Sequence, residues 1–469
     1  MTSRQRSDDS VWGGPKVALG AVLAGAAALR LVGLEYGLPH GNLLNPGEAN
    51  VVPRAWAMTH GSGLDPHPFF DHPSLLLYVL APFQWWEDEP SYVAARLVAV
   101  AIGLLGVAAA WWLGSRAYGV VAGGVAAAAT GVATVHVGYS RMAVTDVLLT
   151  TLVTVALALL VSGRIELAGL VAGVATAAKV PGIVLAVPIL VLVWGQWRRA
   201  LTAAGLAVVG FAAATPFALV HLGELVDDTW RLVEHARAGW LGFENDHSAP
   251  VAFVDRLWES LGPFLIVAAV GLVAALVVRA PADRALAAFA LAYYATLLPL
   301  GSHFDRYVLP LIPVLGALAG RLRALAAVTL LLLAVPLTWS VRATDELTRE
   351  DARAAAVPLV ERAGPSPVVA ADPGLPKLRV ALVRLRLPSP WAEPDPLRDL
   401  RELRAAVPGV THVWVNGSVA DRVRAARDEY PNENAFYDAL EREGRLVFRL
   451  DDSARFAGPW TALYRLPDR

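Results

Sequence analysis

Residues 143–162 read AVTDVLLTTLVTVALALLVS. A helix needs roughly 20 mostly apolar residues to cross a hydrocarbon core about 30 Å thick, and this run meets that length with a single charge, Asp146, near its start. The stretch behind it, Val147 to Val161, is almost entirely apolar. Asp146 is therefore open to two readings. A carboxylate there can cap the helix N-terminus after Thr145, or it can mark a functional site, the default reading for an ionisable group at membrane depth.

Outward from this segment, further apolar runs lie near 17–34, 92–113, 119–138, 165–180, 182–196, 201–222, 260–279, 284–300, 306–320 and 323–341. Together they predict an all-α polytopic membrane protein of about eleven transmembrane helices. Composition agrees: 56% of the 469 residues are hydrophobic and 17% charged, with a mean hydropathy of +0.48. A formal net charge of −1 gives no basic field for nucleic acid. The absence of cysteine excludes disulfides, thiolate nucleophiles and cysteine-based zinc or iron–sulfur sites.

Short-loop positive charge sets orientation. Arg4, Arg6 and Lys16 precede the first span, and alternate connections onward carry Arg116, Arg164, Arg198 with Arg199, Arg279 with Arg284, and Arg321 with Arg323. That side is expected to be cytoplasmic, in the plasma membrane of a bacterium. The opposite side receives the carboxylate-rich segment 35–90, the turn Tyr139 to Arg141, the loop 223–259, the turn Gly301 to Asp305 and the tail from Arg342. No A-x-A-like site follows the first apolar run, so it is expected to be retained as a span.

Residues 1–341 thus form the membrane domain. Within its first loop, Asn50 to Met58 predicts an amphipathic surface helix. The short aromatic run Leu75 to Trp86, after His72-Pro73, predicts an interfacial or re-entrant one. Residues 342–469 switch to alternating charge and short apolar runs, predicting a small extracytoplasmic α/β domain. Its strands are expected at 368–371, 380–383, 410–415 and 446–450, and its helices near 397–406, 419–428 and 434–443. Asn416-Gly417-Ser418 fits a glycosylation acceptor by pattern but equally a plain turn.

Separate outer loops deliver ionisable groups to one face. Glu48 lies in Asn45-Pro46-Gly47-Glu48-Ala49-Asn50, and Asp71 and His72 precede the re-entrant run. Arg141 and Asp146 flank the fourth span, Lys179 ends the fifth, and His303, Asp305, Arg306 and Tyr307 surround the start of the tenth. Arg30 occupies the outer half of the first span. Each has an ordinary alternative: Glu48 as a solvated loop acid, Lys179 as a snorkelling cation, Arg306 with Tyr307 as an interfacial anchor. Convergence of both charge signs on one face favours chemistry, with carboxylates to take a proton and cations to hold a phosphate. There is no phosphate-binding glycine loop and no dinucleotide fingerprint. An activated group on that face is therefore expected to arrive attached to a lipid.

At these residues the chain resembles the multi-spanning GT-C glycosyltransferase superfamily, in particular the branch of protein O-mannosyltransferases and lipid A aminoarabinose transferases. The resemblance rests on Gly47-Glu48, the helix Asn50 to Met58, His72-Pro73-Ser74-Leu75, Arg141 with Asp146, Lys179 in Ala177-Ala178-Lys179-Val180-Pro181, and Arg306-Tyr307. It covers roughly 17–320, and the tail resembles that group's extracytoplasmic domains only in position. One position departs from the pattern, because the first acid of the usual Asp-Glu pair is Gly47. The resemblance implies inverting transfer of a sugar from a polyprenyl-phosphate donor to a hydroxyl of a glycan, lipid or protein, without a required cofactor. Glu48 is the expected base and Asp146 the second catalytic carboxylate. His72, Arg141, Lys179 and Arg306 are expected to hold the donor phosphate, with Arg30, Asp71, His303 and Tyr307 as secondary candidates. A divalent cation is compatible with Glu48, Asp71 and His72, although no ligand spacing fixes one. Two other classes stay open: a lipid-linked sugar carrier, which internal repeats would favour and none is visible, and a non-catalytic envelope-assembly subunit, which Gly47 would favour.

Overall fold

The computed structural model describes residues 9–66, 72–395 and 397–467. All eleven apolar segments are helical, but several are broken or short. By length and composition, Tyr92–Tyr118 and Arg323–Glu346 are able to cross a membrane, as is the pair Ala249–Leu261 and Phe264–Val278 if its 118° bend is one span. Six further apolar helices among the described residues have 10–17 residues.

Local chemistry sets the breaks. Ser91 caps the helix Tyr92–Tyr118 by accepting from the Ala94 N–H, and Gly119 ends it at a φ of 96°, a conformation open to glycine. The third apolar segment splits at Ala133, whose ψ of 123° leaves the helical range between Val120–Val132 and Thr134–Tyr139. The last apolar helix runs on to Glu346, past the expected 341. Small residues bring the helices together. A Cβ at Gly173 would fall 1.8 Å from the Ala207 carbonyl, so Ile165–Ala178 and Trp197–Ala214 meet backbone to backbone, as helices in lipid do through glycine and alanine.

The first loop forms the expected pair of short elements, Glu48–Thr59 and Leu75–Leu80 with a 3₁₀ turn Ala81–Gln84. Residues 223–259, expected as a loop, instead carry the helices Leu222–Ala238 and most of Ala249–Leu261. The first of these is amphipathic and leaves Val226 and Trp230 exposed, the pattern of a helix lying in an interface.

In the tail a five-stranded sheet runs Ala381–Arg384, Val368–Ala371, His412–Asn416, Thr461–Arg465, Arg445–Leu450. The first three strands are parallel, and Thr461–Arg465 is antiparallel to both neighbours. Thr461–Arg465 was not expected, because its burial is continuous from Thr461 to Tyr464 and shows no alternation. The helix Ala352–Glu361, also unexpected, buries Ala352, Ala356 and Val360. Asn416 is buried, caps the following helix and donates to the Pro373 carbonyl at 2.8 Å, so the glycosylation-like triplet is a structural turn. The tail docks on the first loop. Arg353 reaches the Leu43 carbonyl at 2.8 Å while paired with Asp351 at 2.7 Å, and Asn42 donates to the carbonyls of Gly374 and Leu375.

Candidate active site

Three helix ends meet at Asp146. The helix Thr145–Val161 begins one residue before it. Ile165–Ala178 ends at Lys179, extended at φ −161° and ψ 135°, because Pro181 and Gly182 turn the chain into the 3₁₀ helix Val180–Leu185. A third turn, Asp305–Val308, carries Arg306 and Tyr307. Lys179 Nζ lies 2.6 Å from Asp146 Oδ1 and both side chains are largely buried. Val144 is the N-cap of that helix and makes no side-chain capping bond, while Asp146 lies in the first turn, where its charge also meets the helix dipole.

Arg306 completes the group. Its guanidinium lies 4.5 Å from the Phe304 ring centroid and 5.8 Å from that of Tyr307, over which Lys179 also sits at 5.4 Å. Tyr139 Oη donates to Asp305 Oδ1 at 2.8 Å, and the same oxygen accepts from the Arg306 N–H at 2.8 Å, fixing the turn. Arg306 Nε is buried without a partner. Asp146 interacts electrostatically with Lys179, Arg306 and His72. Burial pushes the His72 imidazole down to about 3, and the Lys179 charge acts in the same direction. His72 is therefore neutral at physiological pH, and Lys179 and Arg306 are the two cations around Asp146, with the Asp305 carboxylate at the edge of the group on Tyr139.

Four expected site residues fall elsewhere. Glu48 is fully buried: Arg96 holds it through Nε at 3.0 Å and Nη2 at 2.8 Å, and the Ala143 N–H donates to it at 3.0 Å. In this state both oxygens are engaged, and a substrate hydroxyl has no access to either. Arg141 also leaves the expected phosphate group, because its guanidinium goes to the Leu29 carbonyl and Thr344 Oγ1. Arg30 donates to the carbonyls of Ala26 and Gly131 and to His136 Nδ1. His303 pairs with Asp246 at 3.1 Å, which in turn holds Arg256 at 3.0 Å. Asp71 lies outside the described residues. Among those described, no group of three or more His, Asp or Glu side chains is placed to hold a metal.

Two contributors were missed in the sequence. Arg96 is the lone charge within the run 92–113, a signal as strong as that of Asp146. Tyr139, the clamp on Asp305, carries no such signal.

The model of glycosyltransferase family 87 matches residues 69–302. No curated protein sequence matches the chain. Among solved structures, ArnT from Cupriavidus metallidurans in the apo state aligns with a TM-score of 0.56 at 15% identity, over 97% of this chain and 98% of that one. ArnT bound to undecaprenyl phosphate aligns with a TM-score of 0.54 at the same identity and coverage. The Archaeoglobus fulgidus oligosaccharyltransferase in the apo form gives 0.59 at 10% identity, over 97% of this chain and 76% of that one. At such identities the likeness is one of fold.

Proposed function

Since the chain is a membrane glycosyltransferase of the GT-C superfamily, we propose that it moves a sugar from a polyprenyl-phosphate donor to an extracytoplasmic hydroxyl at the Asp146–Lys179–Arg306 group. The observation that carries this reading is the pair of cations there: Lys179 and Arg306 act together on the buried Asp146, an arrangement that suits a phosphate. The fold shared with a protein crystallised with undecaprenyl phosphate supports the donor class.

The donor phosphate displaces Asp146 from Lys179 and binds both cations. Asp146, so released, takes the proton of the acceptor hydroxyl as the hydroxyl oxygen attacks the anomeric carbon. The bond from that carbon to the phosphate oxygen breaks on the opposite side, its electron pair stays on the phosphate, and the sugar inverts. Lys179 and Arg306 stabilise the charge that develops there, a role in which one preorganised group typically contributes about 3 kcal/mol. Neutral His72, beside Lys179 and Asp146, is a hydrogen-bond partner for sugar or phosphate. Glu48 acts at one remove, since it holds the Ala143 N–H three residues before Asp146 and ties the first loop to that turn.

The membrane orientation goes with this reading: N-terminus in the cytoplasm of a bacterium, active group and tail outside. The test uses purified protein in lipid nanodiscs with a radiolabelled polyprenyl-monophosphate sugar, envelope extract as acceptor, and no nucleotide. Label should leave the donor in wild type and stay on it in Asp146→Asn. Transfer seen only with a nucleotide sugar would sink the proposal.

A further inference from the structure

The turn that carries Arg306 is held from outside the active group. The Gly301 and Ser302 N–H groups both donate to the Ala236 carbonyl at 2.9 Å, near the end of the helix Leu222–Ala238. A Cβ at Gly301 would fall 2.6 Å from the Arg237 carbonyl oxygen, so the two backbones touch. Arg306 rests on the Phe304 ring, and Trp240 meets that ring edge-on with centroids 6.2 Å apart. Backbone and ring together fasten the turn to residues 236–240.

The tail grips the same stretch. Leu241 is 1% exposed and belongs to one buried cluster with Leu400, Leu403 and Val423 of the tail. Just beyond it, Asn245 Nδ2 donates to the Ala425 carbonyl at 2.7 Å, and Tyr430 Oη donates to Glu244. From a loop of the tail, Trp391 stacks on His235 with ring centroids 4.2 Å apart and lies 5.5 Å from the Trp240 ring. Gly239 has a φ of 110°, a conformation open to glycine. A Cβ there would lie 3.5 Å from Pro390 Cγ and 3.7 Å from the Gly301 carbonyl oxygen. The tail loop and the active turn therefore meet at one residue.

We propose that the tail is a positioning element for the donor site, with Trp391 as its positioning residue: it fixes the segment 235–245, and that segment fixes the turn that holds Arg306. The proposal rests on the reading of Arg306 as a ligand of the donor phosphate. A guanidinium recognises phosphate through a preorganised fork of donors, so a turn free to drift binds the donor less tightly. Trp391 is 40% exposed, and its truncation leaves the buried core of the tail in place.

Hydrogen exchange of the full protein in nanodiscs, read by mass spectrometry, tests the link together with binding of polyprenyl monophosphate. In Trp391→Ala the amides of Gly301 and Ser302 should exchange about tenfold faster than in wild type, the size expected when two ring contacts are lost. The amides of His412–Asn416 should keep their protection, and polyprenyl monophosphate should bind several-fold more weakly. Trp391→Phe keeps a ring against His235 and should restore most of both. Asn42→Ala loosens the other dock of the tail, on the first loop, and should change neither. Unchanged exchange at Gly301 and Ser302 in Trp391→Ala would overturn the proposal. So would faster exchange with unchanged binding, or an equal effect from Asn42→Ala, because the tail would then be a general support. If Arg306→Met binds polyprenyl monophosphate as wild type does, the functional reading fails instead, and the exchange result still decides whether the tail holds the turn.

Discussion

The Lys179 ammonium lies 2.6 Å from the Asp146 carboxylate across 33 residues of sequence, and neither group has another salt-bridge partner among the described residues. A buried pair of this kind locks each group until a ligand of matching charge separates them. Asp146→Asn should lower kcat by about 10² to 10⁴, the usual contribution of a general base, while donor KM falls, because the phosphate no longer has to displace a carboxylate from Lys179. Lys179→Met should raise donor KM as well as lower kcat. The reverse split, measured by steady-state kinetics, would exchange the two roles.

Glu48 and Arg96 give a separable prediction. Glu48→Gln leaves a buried guanidinium without its anion, which costs about 3–5 kcal/mol and should lower the melting temperature in detergent. Glu48→Leu with Arg96→Leu removes both charges and should recover most of that loss. A Glu48→Gln protein with an unchanged melting temperature and abolished turnover would make Glu48 the base after all.

Tyr139 tests the clamp on the Arg306 turn. Tyr139→Phe deletes only the hydroxyl that donates to Asp305. Loss of one partner from a buried hydrogen bond costs about 1–3 kcal/mol of stability, so the melting temperature should fall, and donor binding should weaken as the Arg306 turn loses its restraint. Donor affinity unchanged by isothermal titration would show that Asp305 holds Arg306 without help.

The tail carries a pH dependence. Burial pushes Asp372 up to about 7, against the opposing hydrogen bonds from the Asn416 N–H and Tyr437. A raised carboxyl favours the folded state at low pH. The unfolded chain releases this proton near 3.8, so the stabilisation is complete below that value and is lost as pH rises through about 7. Between pH 5 and 7 the loss is about 2 kcal/mol. Protection factors for the amides of His412–Asn416 should fall over that range in wild type, and Asp372→Asn should remove this component.

The sequence determined the fold class. Eleven apolar runs with basic residues on alternate sides admit a helical membrane domain, and the change of composition near 343 admits a separate α/β tail, because hydrophobic length and period are local properties. It also supplied Asp146, Lys179, Arg306 and His72, each a polar group set against apolar surroundings. Only the tertiary structure decided which charges share a site. Glu48 and Asp146 look alike in sequence, yet Arg96 captures one and Lys179 the other. Arg141 stands five residues before Asp146 and turns instead toward Thr344, 203 residues away. Ion pairing in a low-dielectric interior depends on a few ångströms of separation, and that separation is set by where helices end and which glycines let them touch.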